Sequence, residues 1–255
     1  MTQAEVLVEV ADGFVVATLN RPEVRNAVNR AMAEQIAAAM ELLENGPDLR
    51  VGILTGADGA FCSGMDLKAF VAGENAYIRG RGFAGIAKRP PKKPLIAAVE
   101  GYALAGGLEI ALACDLIVAS RSARFGLPET RRGLVAASGG LLRLPERLPY
   151  QVAMELALTG GSLDSERAYH LGLVNRLTEP GEALATAKQL AVDIARNAPL
   201  ATVAAKRIIV ESTDWSRAEA FAKQEEIAGP VLQSKDAAEG ARAFNERRRP
   251  IWQGE

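Results

Sequence analysis

The chain is predicted to be an α/β protein with a helical C-terminal region, on three observations. Short apolar runs of parallel-strand character alternate with segments of helical spacing through the N-terminal part. No Gly-x-Gly-x-x-Gly follows the first strand, which separates this alternation from a dinucleotide-binding fold. From about Ser165 onward nearly every segment has helical periodicity with polar interruptions.

Residues 5–10 and 14–19 are β-rich runs separated by Ala11-Asp12-Gly13, the composition of a hairpin turn. From about Asn29 to Leu43, Met32, Ile36, Met40 and Leu43 fall at helical spacing, and Asn45-Gly46-Pro47 ends the segment. Val51–Thr55 is a short buried strand running into Gly56-Ala-Asp-Gly59. Strand, turn and helix recur at 95–99, Gly101 and 107–114, and again from 116–119 to a helix at 139–144. Further helices are expected over 165–170, 181–197, 199–212, 215–229 and 236–247. No internal repeat of fixed period is visible. Gly73–Lys88 is polar and glycine-bearing, and is expected to form a loop or helix over a site.

Bulk properties narrow the function. With 255 residues, 30 basic and 31 acidic side chains, the field is near neutral and gives no general reason to bind nucleic acid or a membrane surface. Cys62 and Cys114 are too few for a disulfide framework, which suits a reducing cytoplasm. The segment Met1–Val6 carries an acid at Glu5 and does not read as a signal peptide, and Glu100, Glu109 and Asp115 break the longest apolar window. The expected location is cytoplasmic.

Candidate chemistry gathers at three places. Leu95–Ser120 is 26 residues with only three charges, and Glu109 stands inside it. An isolated buried charge costs several kcal/mol, so this carboxylate needs a partner or a chemical role. Gly59-Ala-Phe-Cys-Ser-Gly-Met-Asp-Leu67 and Ala105-Gly-Gly-Leu-Glu109 are glycine-bearing turns, the second opening a helix whose free N–H groups favour a developing oxyanion. Facing one another, the two turns would offer one backbone donor each to a carbonyl oxygen. Phe125-Gly-Leu-Pro-Glu129 supplies a second carboxylate. The competing structural reading pairs Glu129 with Arg131 or Arg132 and has Glu109 cap its own helix. His170 has no evident triad or ligand set, and no metal is called for.

These segments, together with Asn20–Asn29, Lys93–Glu109 and Ala243–Arg247, resemble the crotonase superfamily of enoyl-CoA hydratases and isomerases across nearly the whole chain. The resemblance implies a crotonase-like spiral of ββα units over residues 1–195 and a helical C-terminal trimerisation region over 196–255, giving a homotrimer or a hexamer of paired trimers. It implies a lyase hydrating a 2-enoyl-CoA, with coenzyme A carried as part of the substrate and no separate cofactor. Glu109 and Glu129 match the acid/base pair, and the N–H groups of Met65 and Gly106 match the oxyanion hole. Arg25, Cys62, Leu67 and Lys68 fall where the family holds the CoA moiety, and Phe244 and Arg247 where it reaches a neighbouring subunit's CoA.

Two departures from the family pattern stand out: Ala105-Gly106-Gly107 where three glycines are common, and Val135-Ala-Ala-Ser-Gly-Gly140 where Pro-Gly-Ala-Gly-Gly is common. Gly82–Gly85, Leu141–Pro145 and Arg249–Trp252 look more like the carnitinyl-CoA dehydratase branch. Isomerisation, thioester cleavage, carnitinyl-CoA dehydratase-like activity and acyl-CoA binding without turnover stay open on sequence.

Overall fold

The apolar runs stack into one large sheet, and two of its strands, at 95–99 and 116–120, are each followed by a short strand of a second sheet before the chain turns into a helix. A computed structural model describes residues 4–255; Met1–Gln3, part of the segment weighed above as a leader, lie outside the described residues. Strands β1 (Val6–Ala11) and β2 (Phe14–Leu19) form the expected hairpin. Its two-residue turn places Asp12 and Gly13 at φ 50° and 80°, the left-handed pair whose twist matches the flanking strands. Helix α1 (Arg30–Asn45) starts where the Asn29 side chain accepts from Met32 N–H and buries Met32, Ile36, Met40 and Leu43.

Then come β3 (Val51–Gly56), α2 (Leu67–Val71), β4 (Tyr77–Ile78) and β5 (Gly82–Phe83). Next are β6 (Leu95–Val99), β7 (Tyr102–Leu104), α3 (Gly106–Ala113), β8 (Leu116–Ser120) and β9 (Arg124–Gly126). A 3₁₀ turn at Pro128–Arg132 leads to α4 (Gly140–Arg147), α5 (Tyr150–Thr159), β10 (Ser162–Asp164), α6 (Ser165–His170) and β11 (Arg176–Thr178). Helices α7 (Ala183–Ala195), α8 (Pro199–Glu211), α9 (Ala220–Leu232) and α10 (Lys235–Asn245) complete the chain.

The large sheet has the order β1-β2-β3-β6-β8-β11 and is parallel from β2 onward. Parallel strands need both faces covered, and the strand residues divide accordingly. Phe14, Val16, Val51, Ile53, Ile96, Ala98 and Val118 pack on Ala183, Ala187 and Ala191 of α7. Leu95, Ala97, Val99, Ile117 and Ala119 point the other way, into the main core with α1 and α3.

The smaller sheet β10-β9-β7 lies beside it, and an isolated bridge from Cys62 to Ala103 extends it by one more turn of the spiral. Its three-residue strands carry no periodicity of their own, so they are invisible to a reading by pattern, as are β11 and α5. The segment 73–88, expected to be a loop or a helix, folds instead around the β4–β5 hairpin. Helix α9 begins at Ala220, five residues later than its periodicity suggests.

Beyond α7 the helices bury little: α8 buries Ala204, α10 buries Asp236 and Ala243, and α9 buries none of its residues. Helix α8 is nonetheless tied to the core, because Lys206 Nζ donates to Asp115 Oδ2 at 2.6 Å, Pro91 O at 2.7 Å and Lys93 O at 3.0 Å. Cys62 and Cys114 are free and buried, and burial pushes both thiols up to about 12, so neither serves as a thiolate at neutral pH. Among the described residues no helix is long and apolar enough to cross a membrane.

Candidate active site

The two glycine-bearing turns face one another. Gly64 has φ +103°, and a Cβ built on it would lie 3.0 Å from Gly106 N and 3.1 Å from Leu104 O, so glycine is needed for the approach. Gly107 is tighter: its Cβ would fall 2.1 Å from Cys62 O. The Cys62 backbone cannot yield, since its N–H donates to Tyr102 O at 2.8 Å and its carbonyl accepts from Leu104 N–H at 3.0 Å. Met65 N–H and Gly106 N–H, one from each turn, have no partner among the described residues. Gly106 N–H also opens α3, where the helix dipole favours negative charge.

Ala105 caps α3 at φ 53°, ψ −128°, a conformation that a side chain makes costly. It is held there by its own N–H donating to Gly126 O at 2.9 Å and by Glu109 N–H donating to its carbonyl at 3.1 Å. Strain of this kind persists only where the surroundings over-determine it.

Glu109, on the first turn of α3, is 3% exposed. Its Oε1 accepts from Ser138 N–H at 2.6 Å and Gly140 N–H at 3.0 Å, charge-assisted bonds that offset part of the burial cost. The carboxylate therefore does not cap its own helix. A Cβ on Gly140 would lie 3.0 Å from Glu109 Cγ and 3.1 Å from Oε1, so the 138–140 turn needs bare backbone at this point. Burial raises the Glu109 pKa above the ordinary glutamate range; the amides of Gly140 and Ser138, the Ser138 side chain and the Arg143 charge pull it back.

Glu129, in the 3₁₀ turn after β9, has Oε2 buried without a hydrogen-bond partner among the described residues. Arg131 and Arg132 do not pair with it; they donate to Thr159 O and Pro128 O. Burial raises its pKa and the nearby Glu109 charge raises it further, against the opposing pull of its own backbone amide and Arg132.

One cavity of about 340 Å³ collects these groups. Met65, Gly106, Glu109 and Glu129 all line it, with Arg25 and Leu67 from the expected CoA-binding set. Arg25 stands over the Tyr102 ring at 5.7 Å. Cys62 lies beneath, fully buried, its thiol donating to Asn26 O and both backbone groups already bonded within the chain. Lys68 is exposed on α2, while Phe244, at 84% exposure, and Arg247 lie at the far C-terminal end, so within one chain these three stand apart from the cavity.

Sequence reasoning missed Tyr77, Phe83, Arg132 and Ser138, all on the cavity wall. The signal for Ser138 and Gly140 was present in Ser138-Gly139-Gly140, which registered only as a departure in pattern.

The sequence matches the family model for enoyl-CoA hydratase/isomerase over residues 9–255. The chain belongs to the enoyl-CoA hydratase/isomerase family. It is 40% identical to enoyl-CoA hydratase EchA19 of Mycobacterium tuberculosis over 256 residues, covering 98% of this chain and 96% of that protein. It is also 40% identical to a carnitinyl-CoA dehydratase of Proteus mirabilis over 244 residues, covering 92% and 93%. Both relatives are lyases by name. Among solved structures, an enoyl-CoA hydratase from Mycobacterium tuberculosis H37Rv superposes with a TM-score of 0.98 at 60% identity, covering 99% of this chain and all of that one. The fold is the crotonase fold, as the spiral of strand, short strand and helix already indicates.

Proposed function

We propose that this chain adds water reversibly to a 2-enoyl-CoA thioester. The observation that carries the proposal is the convergence of two unpartnered amides, on Met65 and Gly106, with two buried carboxylates in one cavity. The amides would hold the thioester oxygen as it gains enolate charge, a contribution worth roughly 3 kcal/mol of barrier per donor. Addition across the conjugated bond then needs one base for water at the β-carbon and one acid for the α-carbon.

The environments of the two carboxylates support one division of those roles. Glu109 accepts two backbone N–H groups, which favour its ionised form, whereas Glu129 has a bare buried oxygen and feels the Glu109 charge. On this reading Glu109 takes a proton from water and Glu129 delivers one to the α-carbon. Arg25 and Leu67, which line the cavity, would meet the CoA portion, and Lys68, next to Leu67 on α2, would meet it outside the cavity. Cys62 contributes by fixing the turn. The exposed apolar side chains of the C-terminal helices, Phe221, Leu232 and Phe244 among them, suit packing against further copies of the chain in a trimer or hexamer, which would also bring Phe244 and Arg247 to a neighbouring site.

Turnover of crotonyl-CoA tests the assignment. Glu109→Gln and Glu129→Gln should each lower hydration by roughly a hundredfold or more, and the product of the parent enzyme should gain the mass of one water. Near-parental turnover in either variant would remove that residue from the mechanism, and product of unchanged mass would make the enzyme an isomerase.

A dehydratase acting on carnitinyl-CoA is the second reading, favoured by the relatives of that name. Arg132 weighs against it, because it lines the cavity, its guanidinium donates to the Pro128 carbonyl and forms no ion pair among the described residues, and its charge would repel a trimethylammonium group. A neutral enoyl-CoA should therefore be hydrated faster than a carnitine-derived one, and the reverse order would favour the second reading.

A further inference from the structure

The β4–β5 hairpin touches both halves of the site. Phe83 packs on Gly106, where a Cβ would sit only 2.5 Å from the ring, and so it abuts the residue that offers an amide to the thioester oxygen. Tyr77 lies tilted against Phe83 with ring centroids 5.7 Å apart. Its backbone is fixed by its N–H donating to Asn75 Oδ1 at 2.9 Å and by its carbonyl accepting from Arg30 Nη1 at 3.2 Å. From that mount the phenol reaches Ser138 Oγ at 2.7 Å, a residue 61 positions away in sequence.

Ser138 is the residue whose N–H donates to Glu109 Oε1 at 2.6 Å. Either oxygen of this pair can donate; with the Tyr77 phenol as donor, the Ser138 hydroxyl keeps its own proton for the Glu109 carboxylate, which the Ser138 side chain already helps to hold in its ionised form. Chains of this form polarise one another. Glu109 Oε2 accepts no hydrogen bond among the described residues, which leaves it as the oxygen available to water.

We propose that Tyr77 is a positioning residue for the hydration, holding Ser138 and the 138–140 turn so that Glu109 presents its unbonded oxygen to the attacking water. The inference rests on Glu109 being the base. It also accounts for the 73–88 segment, since one hairpin steadies the oxyanion donor through Phe83 and the base through Tyr77.

Tyr77→Phe removes the hydroxyl and keeps the ring. Loss of one hydrogen bond in this chain should lower kcat for crotonyl-CoA hydration by about threefold to tenfold. Its specific signature is a pH profile. With less donation to the ionised form, Glu109 holds its proton to higher pH, so the acidic limb of kcat/KM should move up by about 0.5–1 pH unit. Ser138→Ala should move the same limb in the same direction, and Tyr77→Phe with Ser138→Ala should fall short of the sum of the two, as expected of residues acting through one path.

An unshifted limb in Tyr77→Phe, whatever happens to KM or to thermal stability and whatever Ser138→Ala shows, would overturn the inference and leave Tyr77 as a wall of the cavity. Should Tyr77→Phe fail to fold, Ser138→Ala alone decides by the same limb. Glu109→Gln run alongside separates the two failures: full turnover there removes the base assignment itself, whereas a dead Glu109→Gln with an unshifted Tyr77→Phe profile removes only the role given to Tyr77.

Discussion

Replacing Gly107 with alanine should loosen the whole site while touching none of the groups assigned to chemistry. The new Cβ would stand 2.1 Å from Cys62 O, 2.7 Å from Cys62 C and 3.0 Å from Cys62 Cβ. Non-bonded heavy atoms settle at about 3.5 Å, so roughly 1 Å or more must be made up by movement. Cys62 cannot supply it, because its N–H and carbonyl are bound to Tyr102 and Leu104 in the small sheet. Helix α3 must move instead, and α3 carries both Gly106 N–H and Glu109. A displacement of about 1 Å in a positioned catalytic group costs on the order of a hundredfold in rate. Overpacking of this kind costs about 1–3 kcal/mol of stability, which in a chain of this size lowers the thermal midpoint by about 2–4 °C per kcal/mol. Hydration of crotonyl-CoA, followed by loss of the conjugated thioester absorbance, and a thermal melt on the same preparation measure both effects. A variant with parental turnover and an unmoved midpoint would refute the argument that contact between the 61–65 turn and α3 sets the catalytic geometry.

Two further substitutions test the strain and the charge at the site. Ala105→Gly should stabilise the protein by about 1 kcal/mol, since relief of about 1–3 kcal/mol of strain at φ 53° exceeds the roughly 0.4–1 kcal/mol of added unfolded-chain entropy; a lower melting midpoint would show that the backbone there is unstrained. Glu129→Gln should lose activity yet gain stability in a pH-dependent way. The folded pKa of Glu129 is raised, so its contribution to stability is full below the ordinary glutamate pKa and is lost as pH rises through the raised value. Glutamine removes that loss, so the variant's advantage in melting midpoint should grow from acid toward neutral pH and then level off. An advantage that shrinks with rising pH would mean that Glu129 is stabilised as a carboxylate.

The large sheet apart from β11, together with α1 and the helical C-terminal run, was legible because each element shows its pattern over at least four or five residues. The second layer was not. Strands of three residues, such as Tyr102–Leu104 and Arg124–Gly126, leave no pattern, and they exist because successive turns of the spiral stack on one another. Glu109 was legible from its cost, as a charge in an apolar helix. Its partners were not, since Ser138 and Gly140 act through backbone N–H groups that any residue except proline possesses. Tyr77 was equally silent, because the hydroxyl of a half-exposed tyrosine acquires meaning only from the serine that the fold brings to it.

A structure of the protein with acetoacetyl-CoA, an unreactive thioester, addresses the centre of the account. The thioester oxygen is expected within about 2.7–3.1 Å of both Met65 N and Gly106 N, with the Glu109 and Glu129 carboxylates flanking the α- and β-carbons. A thioester oxygen bound away from those two amides, or an acyl chain that leaves either carboxylate out of reach of its carbon, would contradict it.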